Sequence, residues 1–314
     1  MKIISAGILN APSPKTQRAF STFPAITALP NGKLLASYRV GSSKDCDEEA
    51  IEVRESEDSG LTWSAPYSPF PSFTENDHIH SLKLVYVTLL STGTLLAAAM
   101  AVDRGAHPGC PLFNEATQGC LPMRILLSRS KDNGRSWNKW QAIDTPADIG
   151  PPSLTSPLLL LADGTLVMSL ESNKTYLDKS PLLQKVTYLF SNDEGRSWGC
   201  PVVVAQDPAG PMFNWVHRAA VTPDNEIVSF TWVFDSQTGV YRNIWKRYSL
   251  DGGASWSAPE DIGFADQPSH PAIFADGRLV LAWVDRFGMQ AIRAQSTSSY
   301  KEPFDAAKEV VLYQ

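Results

Sequence analysis

Acidic side chains occur in the sequence next to short apolar runs, where strands begin or end. The acidic residues that we take as candidate catalytic groups are Asp45, Asp47, Glu171 and Asp235. Two carboxyl groups on either side of a glycosidic bond can hydrolyse it, one as a protonated acid and the other as an ionised base or nucleophile. Sugar hydrolysis is therefore the first chemistry to test against the rest of the sequence.

Arginine, histidine and tyrosine side chains occur in similar places. A planar guanidinium binds a carboxylate through two hydrogen bonds, so Arg39, Arg218 and Arg286 are candidate ligands for an acidic sugar. The complete set of candidate substrate-binding residues is Arg18, Arg39, His80, Arg218, Tyr241, His270, Asp285 and Arg286. These residues can bind a substrate only if the fold places the loops that carry them at one face.

The sequence repeats one pattern, Ser-x-Asp-x-Gly-x-(Thr/Ser)-Trp, four times. Its acidic residues are Asp58, Asp132, Asp193 and Asp251, which are 58 to 74 residues apart. The Asp can accept backbone hydrogen bonds in a tight turn, the Gly permits a positive φ, and the Trp can pack between sheets. A reactive group is seldom repeated in four turns, so we expect these Asp residues to stabilise turns rather than to catalyse.

Five predicted hairpins recur in phase with this motif. Their turns lie at Pro30–Gly32, Thr92–Gly93, Asp163–Gly164, Asp224–Asn225 and Asp276–Gly277. Repeats of four antiparallel strands predict an all-β fold, a β-propeller with five visible blades and a sixth possible. We expect one domain over residues 1–314, in which strand Lys2–Leu9 closes the ring with the last blade. The segment Arg104–Leu121 is an expected loop insertion.

The propeller hypothesis predicts which loops share a face. In such a fold, loops that enter the innermost strand and loops that leave the second strand gather at one end of the axis. Four of the five histidines lie in entering loops, and several arginines follow carboxylates in leaving loops. Polar, titratable groups are therefore concentrated where a pocket is expected.

The four repeats resemble the Asp-box (BNR) repeats of the sialidase superfamily, and they cover nearly the whole chain. The first blade is similar in more detail, with Gly32–Ala36 followed by Arg39 and then by Asp45 and Asp47. The resemblance implies that Arg39 is the family's second-strand arginine. It also implies that Asp45 or Asp47 is the acid/base. For a glycoside hydrolase we take Glu171 or Asp235 as the opposing group.

The match to the sialidase catalytic set is partial. Thr22 stands where the family has the first arginine of its carboxylate-binding triad, and Arg18 is the nearby substitute. The nucleophilic Tyr of the last blade has no clear counterpart. No Glu occurs near Arg218–Val221, where the residue that activates this Tyr is expected. The resemblance therefore implies the scaffold more strongly than the mechanism.

Three functions remain open at this point. The first is a glycoside hydrolase that acts on an acidic or highly oxygenated sugar. The second is a polysaccharide lyase, in which Arg neutralises a uronate and His80, His217, His270 or Tyr241 removes a proton. The third is a non-catalytic glycan-binding propeller, which would have a pocket dominated by aromatic stacking.

Composition excludes several other classes. The chain has 314 residues and a net charge of −6, without a basic run, so we expect no nucleic-acid partner. No stretch reaches 18 apolar residues, so we expect no membrane span. Four cysteines are too few for a disulfide framework, although Cys110 and Cys120 could pair across one loop. We expect a cytoplasmic protein with a carbohydrate substrate and without a metal or other cofactor.

Overall fold

The computed structural model describes residues 2–314, which form five antiparallel sheets and almost no helix. These sheets are the blades of a five-bladed β-propeller, so the predicted fold class is confirmed and a sixth blade is excluded. By its internal contacts the chain divides into two compact units. The N-terminal unit comprises residues 5–158 and 173–182, and the C-terminal unit comprises residues 2–4, 159–172 and 183–314.

The N-terminal unit contains the first two blades. Blade 1 consists of β1 (Phe20–Ala28), β2 (Leu34–Gly41), β3 (Ala50–Ser56) and β4 (Tyr67–Phe70). Blade 2 consists of β5 (Phe73–Glu75), β6 (His78–Leu89), β7 (Leu95–Asp103), β8 (Met123–Ser130) and β9 (Gln141–Ala142). A short 3₁₀ helix (Ala147–Ile149) and β10 (Ser153–Leu154) complete the unit.

The C-terminal unit contains three further blades. Blade 3 has β11 (Leu159–Leu160), β12 (Leu166–Glu171), β13 (Lys185–Ser191) and β14 (Gly199–Gln206). Blade 4 has β15 (Met212–Val221), β16 (Ile227–Asp235), β17 (Val240–Tyr241), β18 (Asn243–Ser249) and β19 (Glu260–Ala265). Blade 5 has β20 (Gln267–Pro268), β21 (Ala272–Ile273), β22 (Leu279–Asp285), β23 (Ala291–Thr297), a 3₁₀ helix (Ala306–Lys308) and β24 (Val310–Tyr313).

All five predicted hairpins form. The residue in the left-handed region is a glycine in four of the turns, whereas in the fourth hairpin it is Asn225 with φ 63°. Glycine and asparagine tolerate this conformation because they avoid the clash that a larger side chain would create. The turn chemistry visible in the sequence therefore matches the turns in the structure.

The four repeated Asp residues stabilise turns, as predicted. In the second repeat, Ser130 Oγ donates to Asp132 Oδ1 at 2.7 Å, and Asp132 accepts from the N–H and the hydroxyl of Ser136 at 2.9 and 2.5 Å. The indole N–H of Trp137 donates to the carbonyl of Gly134 at 3.0 Å. Trp137 also packs on Phe70, with ring centroids 4.9 Å apart, so the motif joins a turn to the core.

The expected N-terminal strand is absent, and the possible Cys110–Cys120 disulfide does not form. Residues 2–8 form no strand, and the first strand of the described chain is β1; Pro12 and Pro14, which cannot donate to a sheet, separate the two segments. All four cysteines are free thiols; Cys120 is buried beside the carbonyl of Lys174, and Cys110 is exposed. In the described part of the chain, no helix has the length and apolar character needed to cross a membrane.

The first long strand of three blades contains a β-bulge. In β6 the register skips Lys83, in β15 it skips Val216 and His217, and in β1 it skips Phe23 and Pro24. Val216 and Phe23 have positive φ values of 51° and 53°, which are costly for residues with a Cβ. A bulge redirects side chains and is common beside active sites. Here two of the bulges contain titratable residues, Lys83 and His217.

Candidate active site

Glu49 is the centre of a charged cluster inside the N-terminal unit. It lies just before β3 and its side chain is fully buried. Its carboxylate accepts from Arg39 Nε at 2.5 Å, Ser81 Oγ at 2.6 Å, Arg104 Nη2 at 2.7 Å and Lys83 Nζ at 3.4 Å. A buried carboxylate is tolerated only when such partners replace its lost hydration. The cluster is thus a rigid support with fixed geometry.

Asp45 connects this buried cluster to solvent. Lys83 Nζ donates to Asp45 Oδ1 at 2.6 Å and to the carbonyl of Lys44 at 2.8 Å. The Lys83 side chain is 2% exposed, whereas that of Asp45 is 36% exposed. Partial burial raises the pKa of Asp45, but the hydrogen bond and charge of Lys83 outweigh it, and the net pKa lies below the ordinary value. Asp45 is therefore an ionised, partly exposed carboxylate at neutral pH.

Arg39, a predicted substrate ligand, is enclosed by the protein. Besides Glu49, its guanidinium donates to the carbonyl of Ser43 at 3.0 Å, to Cys46 Sγ at 3.1 Å and to Thr22 Oγ1 at 3.4 Å. These bonds hold the loop that carries Asp45. In this conformation Arg39 therefore positions the loop.

The other candidates in blade 1 are more exposed. Asp47 lies on the exposed side of the same loop. Arg18 forms an ion pair with Glu52 and donates to Asn10 Oδ1 at 3.3 Å. Neither residue contacts Glu49 or Lys83 through any of these bonds, so Asp45 is the candidate that the structure joins to the cluster.

Blade 2 presents a histidine and a carboxylate close together. His78 Nδ1 and Asp103 Oδ2 are 3.0 Å apart, and the His78 ring is half-exposed. Asp103 also accepts the N–H groups of Gly105 and Ala106, which fixes its orientation. By contrast, the predicted ligand His80 is buried and stacked on Phe73 at 5.1 Å, and burial lowers its pKa.

In the C-terminal unit, the bulge in β15 brings together several predicted residues. Glu171, the last residue of β12, is buried and accepts the backbone N–H of His217 at 2.8 Å. The adjacent Arg218 donates from Nη1 to His270 Nε2, 2.9 Å away. Burial, with the charge of Arg218, holds the pKa of His270 well below its ordinary value. His270 is therefore a neutral acceptor for Arg218.

His217 is also a neutral imidazole. Burial lowers its pKa to about 3, and the nearby Arg247 and Arg218 add to the effect. Its Nδ1 lies 3.0 Å from the hydroxyl of Ser169. A buried imidazole with so low a pKa holds a proton poorly, so His217 orients its neighbours rather than serving as an acid.

Asp235 and Asp285 are bound within their own turns. Arg242 donates to Asp235 at 2.7 Å and, with the N–H groups of the turn, lowers the pKa of Asp235 to about 2. Asp285 accepts the N–H of Gly288 at 2.8 Å and the Nε–H of Arg293 at 2.9 Å. These carboxylates order the loops after β16 and β22. Their hydrogen bonds within the turns account for their positions without a substrate.

Tyr241 and Arg286, both predicted ligands, lie in an aromatic group. Tyr241 stacks on Trp232 with ring centroids 4.4 Å apart and on Phe287 at 5.2 Å. The guanidinium of Arg286 lies 5.3 Å from the centre of the Trp232 ring, and its Nη1 donates to Gln267 Oε1 at 2.7 Å. This arrangement offers flat apolar surface beside polar groups.

Sequence reasoning missed Glu49, Lys83 and Asp266. Glu49 stands in the same acidic stretch as Asp45, so the signal was present but could not be separated from its neighbours. Lys83 interrupts the apolar run of β6, and a lysine in such a run is a signal of a buried charge. Asp266 directly precedes β20, and the residues beside it in the sequence give no sign that its carboxylate is buried.

Comparison with known proteins gives one family and several related folds. Residues 112–308, more than half of the chain, match the family described as BNR repeat-like domain. No curated protein matches the sequence significantly. A protein of unknown function from Dyadobacter fermentans DSM 18053 has 21% identity and a TM-score of 0.77, over 95% of this chain and 84% of that chain.

Two enzymes of known structure have a similar fold. The intramolecular trans-sialidase from Ruminococcus gnavus has 13% identity and a TM-score of 0.65, over 96% of this chain and 85% of that chain. The α-L-arabinanase from Penicillium chrysogenum has 17% identity and a TM-score of 0.67, over 93% and 82%. At such low sequence identity, the similarity establishes the fold alone, and that fold agrees with the predicted sialidase-like architecture. The four Asp-box turns and the match over residues 112–308 together show that this chain belongs to the BNR repeat-like domain family.

Proposed function

We propose that the protein is a glycoside hydrolase that acts on an acidic or highly oxygenated sugar, with Asp45 as its acid/base. The observation that carries the proposal is the partly exposed carboxylate of Asp45, which Lys83 holds at 2.6 Å against a fully buried charged cluster. A proton-transferring group must be accessible to substrate and fixed in orientation, and Asp45 meets both conditions.

The charge of the cluster supports an acidic substrate. Formally, Arg39, Lys83 and Arg104 carry three positive charges against the two negative charges of Asp45 and Glu49. The excess positive charge lies in a desolvated environment, where it attracts an anion more strongly than it would in water. A sugar carboxylate is such an anion.

The ionisation of Asp45 can change when the substrate binds. An acidic sugar brings negative charge and excludes water, and both effects raise the pKa of a neighbouring carboxyl group. The protonated Asp45 then donates its proton to the glycosidic oxygen, the bond from that oxygen to the anomeric carbon breaks, and the aglycone leaves as an alcohol. Water adds to the anomeric carbon and releases a proton, which restores the enzyme.

The two residues predicted for the opposing carboxylate, Glu171 and Asp235, both belong to the C-terminal unit, and of the two we favour Glu171. Asp235, the other residue predicted for this role, is bound by Arg242 and by its own turn. Glu171 is buried at the end of β12 beside the strained backbone of the β15 bulge. Strain of this kind is often retained at functional sites.

Enzymes with a similar fold support a sugar substrate. A trans-sialidase in complex with oseltamivir carboxylate and an α-L-arabinanase in complex with arabinobiose have a similar architecture. The similarity does not select between an acidic and a neutral sugar, and the charge of the Glu49 cluster is our reason for preferring the acidic class.

The test is a panel of aryl glycosides that includes sialic and uronic acids, read by aglycone release. We expect Asp45→Asn to lower turnover by about 10²- to 10⁴-fold, as the loss of a general acid does, while the circular dichroism spectrum is unchanged. The surface variant Asp144→Asn is the matched control. Full activity of Asp45→Asn would refute the assignment, and a selective loss in Asp47→Asn would move it to Asp47.

One observation favours a lyase as the second candidate. Asp103 orients the half-exposed ring of His78, 3.0 Å away, as the base of an elimination would require. His217 and His270, which were predicted for this role, are buried and neutral. A lyase would produce an unsaturated uronate that absorbs near 235 nm, and His78→Ala would abolish that signal. If neither product forms and glycans still bind, the protein is a glycan-binding propeller.

A further inference from the structure

Asp266 has an unusual environment in blade 5. It lies between β19 and β20 with φ 92°, a left-handed conformation that is uncommon for a residue with a side chain. The residue is 6% exposed. Its Oδ2 accepts the backbone N–H of Arg286 at 2.9 Å, and the backbone N–H of Phe287 also interacts with the carboxylate, but the buried Oδ1 makes no hydrogen bond of good geometry within residues 2–314. Burial raises the pKa of Asp266.

A buried donor without a partner lies on β16, which packs beside β20. Trp232 is 8% exposed, and its indole N–H makes no hydrogen bond to any described residue. An unpaired buried donor or acceptor destabilises the fold, so two such groups on strands that pack together require an explanation. A ligand that both donates and accepts hydrogen bonds would supply one.

Arg286 connects these two groups. Its backbone binds Asp266, and its guanidinium lies over the Trp232 ring. Arg286 and Phe287 are both exposed, Phe287 to 65%. The cover over the Trp232 ring is therefore a long surface side chain, which can swing into solvent without disturbing the sheet.

We propose that Trp232, Tyr241, Asp266, Arg286 and Phe287, here called the blade-5 cluster, bind a neutral hydroxylated sugar residue when the Arg286 side chain moves aside. One sugar hydroxyl donates to Asp266 Oδ1, and an adjacent hydroxyl accepts from the Trp232 N–H. The rings of Tyr241 and Phe287 contact the apolar C–H face of the sugar. Arg293 neutralises Asp285, so once Arg286 has moved aside the remaining charge at the site is the carboxylate of Asp266, which disfavours an anion and favours a neutral residue.

The inference rests on the proposed function, because it requires a saccharide ligand, but it concerns binding and not bond cleavage. Calorimetric titration with arabinobiose, lactose and glucuronic acid tests it directly. The variant Asp266→Gly removes the carboxylate and tolerates the positive φ, so the fold should persist. Trp232→Phe removes the indole N–H and keeps an aromatic ring.

We expect at least one neutral disaccharide to bind, and Asp266→Gly to weaken it at least about tenfold, the usual effect of losing a buried hydrogen bond. Asp45→Asn should bind equally well even if it has no turnover, which separates this inference from the proposed hydrolase. The indole N–H resonance of Trp232, identified by its loss in Trp232→Phe, should shift on titration.

Four results would overturn the inference. The first is that neither disaccharide binds below ~10 mM, which is the weak end of measurable affinity. The second is that Asp266→Gly binds as tightly as the parent protein. The third is that only glucuronic acid binds, which would contradict the selection for a neutral residue. An indole resonance that does not move would equally show that a buried water satisfies Trp232.

Discussion

Lys83 and Asp45 form a pair in which one residue sets the ionisation of the other. Lys83 is fully buried and binds Asp45 and Glu49 at once, while Asp45 is open to solvent on one side. The pKa of Asp45 is the result of two opposed effects, burial that raises it and Lys83 that lowers it. If the Lys83 cation is removed, the effect of burial on the pKa of Asp45 should become visible.

We therefore expect Lys83→Met to raise the pKa of Asp45, because burial then acts without the compensating cation. The measurement is a pH titration of the Asp45 carboxyl carbon by NMR, assigned with Asp45→Asn. Lys83→Arg keeps the charge and should shift the pKa less, and Lys33→Met, at a surface ion pair with Glu57, should leave it unchanged. A pKa that stays constant or falls in Lys83→Met would contradict the pairing.

Val216 is a second residue whose conformation has a measurable consequence. A β-branched side chain at φ 51° is strained, and glycine avoids that strain at the cost of some chain entropy. We expect Val216→Gly to preserve the free energy of unfolding or to raise it by up to about 1 kcal/mol in urea titrations. Val203→Gly, in the half-exposed β14, should instead destabilise the protein. A large decrease in the free energy of unfolding of Val216→Gly would contradict this expectation. It would show that the packing of the Val216 side chain stabilises the fold by more than its backbone strain destabilises it.

The Asp-box turn is an element whose stability depends on pH. Hydrogen bonds from Thr62 and Ser56 lower the pKa of Asp58 from 3.8 to about 2. In the second repeat, hydrogen bonds from Ser136 and Ser130 likewise lower the pKa of Asp132 to about 2. A folded-state pKa below the unfolded value adds stability that is present above about pH 4 and is lost as the pH falls towards 2.

The unfolding free energy should accordingly decrease between pH 4 and pH 2, and it should decrease less steeply in Asp132→Asn, which cannot lose that charge. Asp132→Asn should also be less stable than the parent at pH 7. Urea unfolding at several pH values measures both effects, with Asp144→Asn as the control outside the motif. An unchanged slope in Asp132→Asn would mean that the turn does not contribute to acid sensitivity.

The inserted loop of blade 2 is anchored by close backbone contact. Cys120 donates its N–H to the carbonyl of Lys174 at 3.0 Å, and Thr117 Oγ1 donates to the carbonyl of Tyr176 at 2.7 Å. A Cβ on Gly119 would lie 2.1 Å from the carbonyl oxygen of Thr175, a separation that no side chain can occupy. Only glycine fits at this point.

Gly119→Ala should lower the free energy of unfolding by about 2 kcal/mol or more, because the backbone of one segment must move away from the other. Gly109→Ala is the matched control, since no atom lies within 4 Å of its added Cβ and only the strain of its positive φ remains. Thermal unfolding followed by circular dichroism compares the two. Equal stability of both variants would mean that the loop adapts at no cost.

Most of the fold could be predicted from local signals, and most of the site could not. Turn residues and the repeated Asp motif mark the hairpins of each blade, because both act over a few residues. The bulges at Lys83 and His217 depend on how one strand pairs with the next, which leaves no mark in the sequence. For this reason Asp45 and Arg218 were found as polar residues of predicted loops, whereas the buried Glu49 and Lys83 that connect to Asp45 were not.

At the scale of the whole molecule, the prediction of a single domain over residues 1–314 awaits a test. The five sheets belong to one propeller, and contacts divide the chain into two compact units. We expect one cooperative unfolding transition, with a ratio of calorimetric to van't Hoff enthalpy of about one. Two separate transitions in differential scanning calorimetry, or a ratio well above one, would show that the units unfold independently.

Each sheet is built from strands that follow one another along the chain. A gene segment of about one repeat, with its Asp residues 58 to 74 codons apart, therefore encodes a whole blade with its own hairpin and its own locked turn. Recombination between neighbouring copies would add or delete complete blades in frame, without cutting through a sheet. The protein's ancestry is thus open to reconstruction from the differences among its four surviving copies of a single turn.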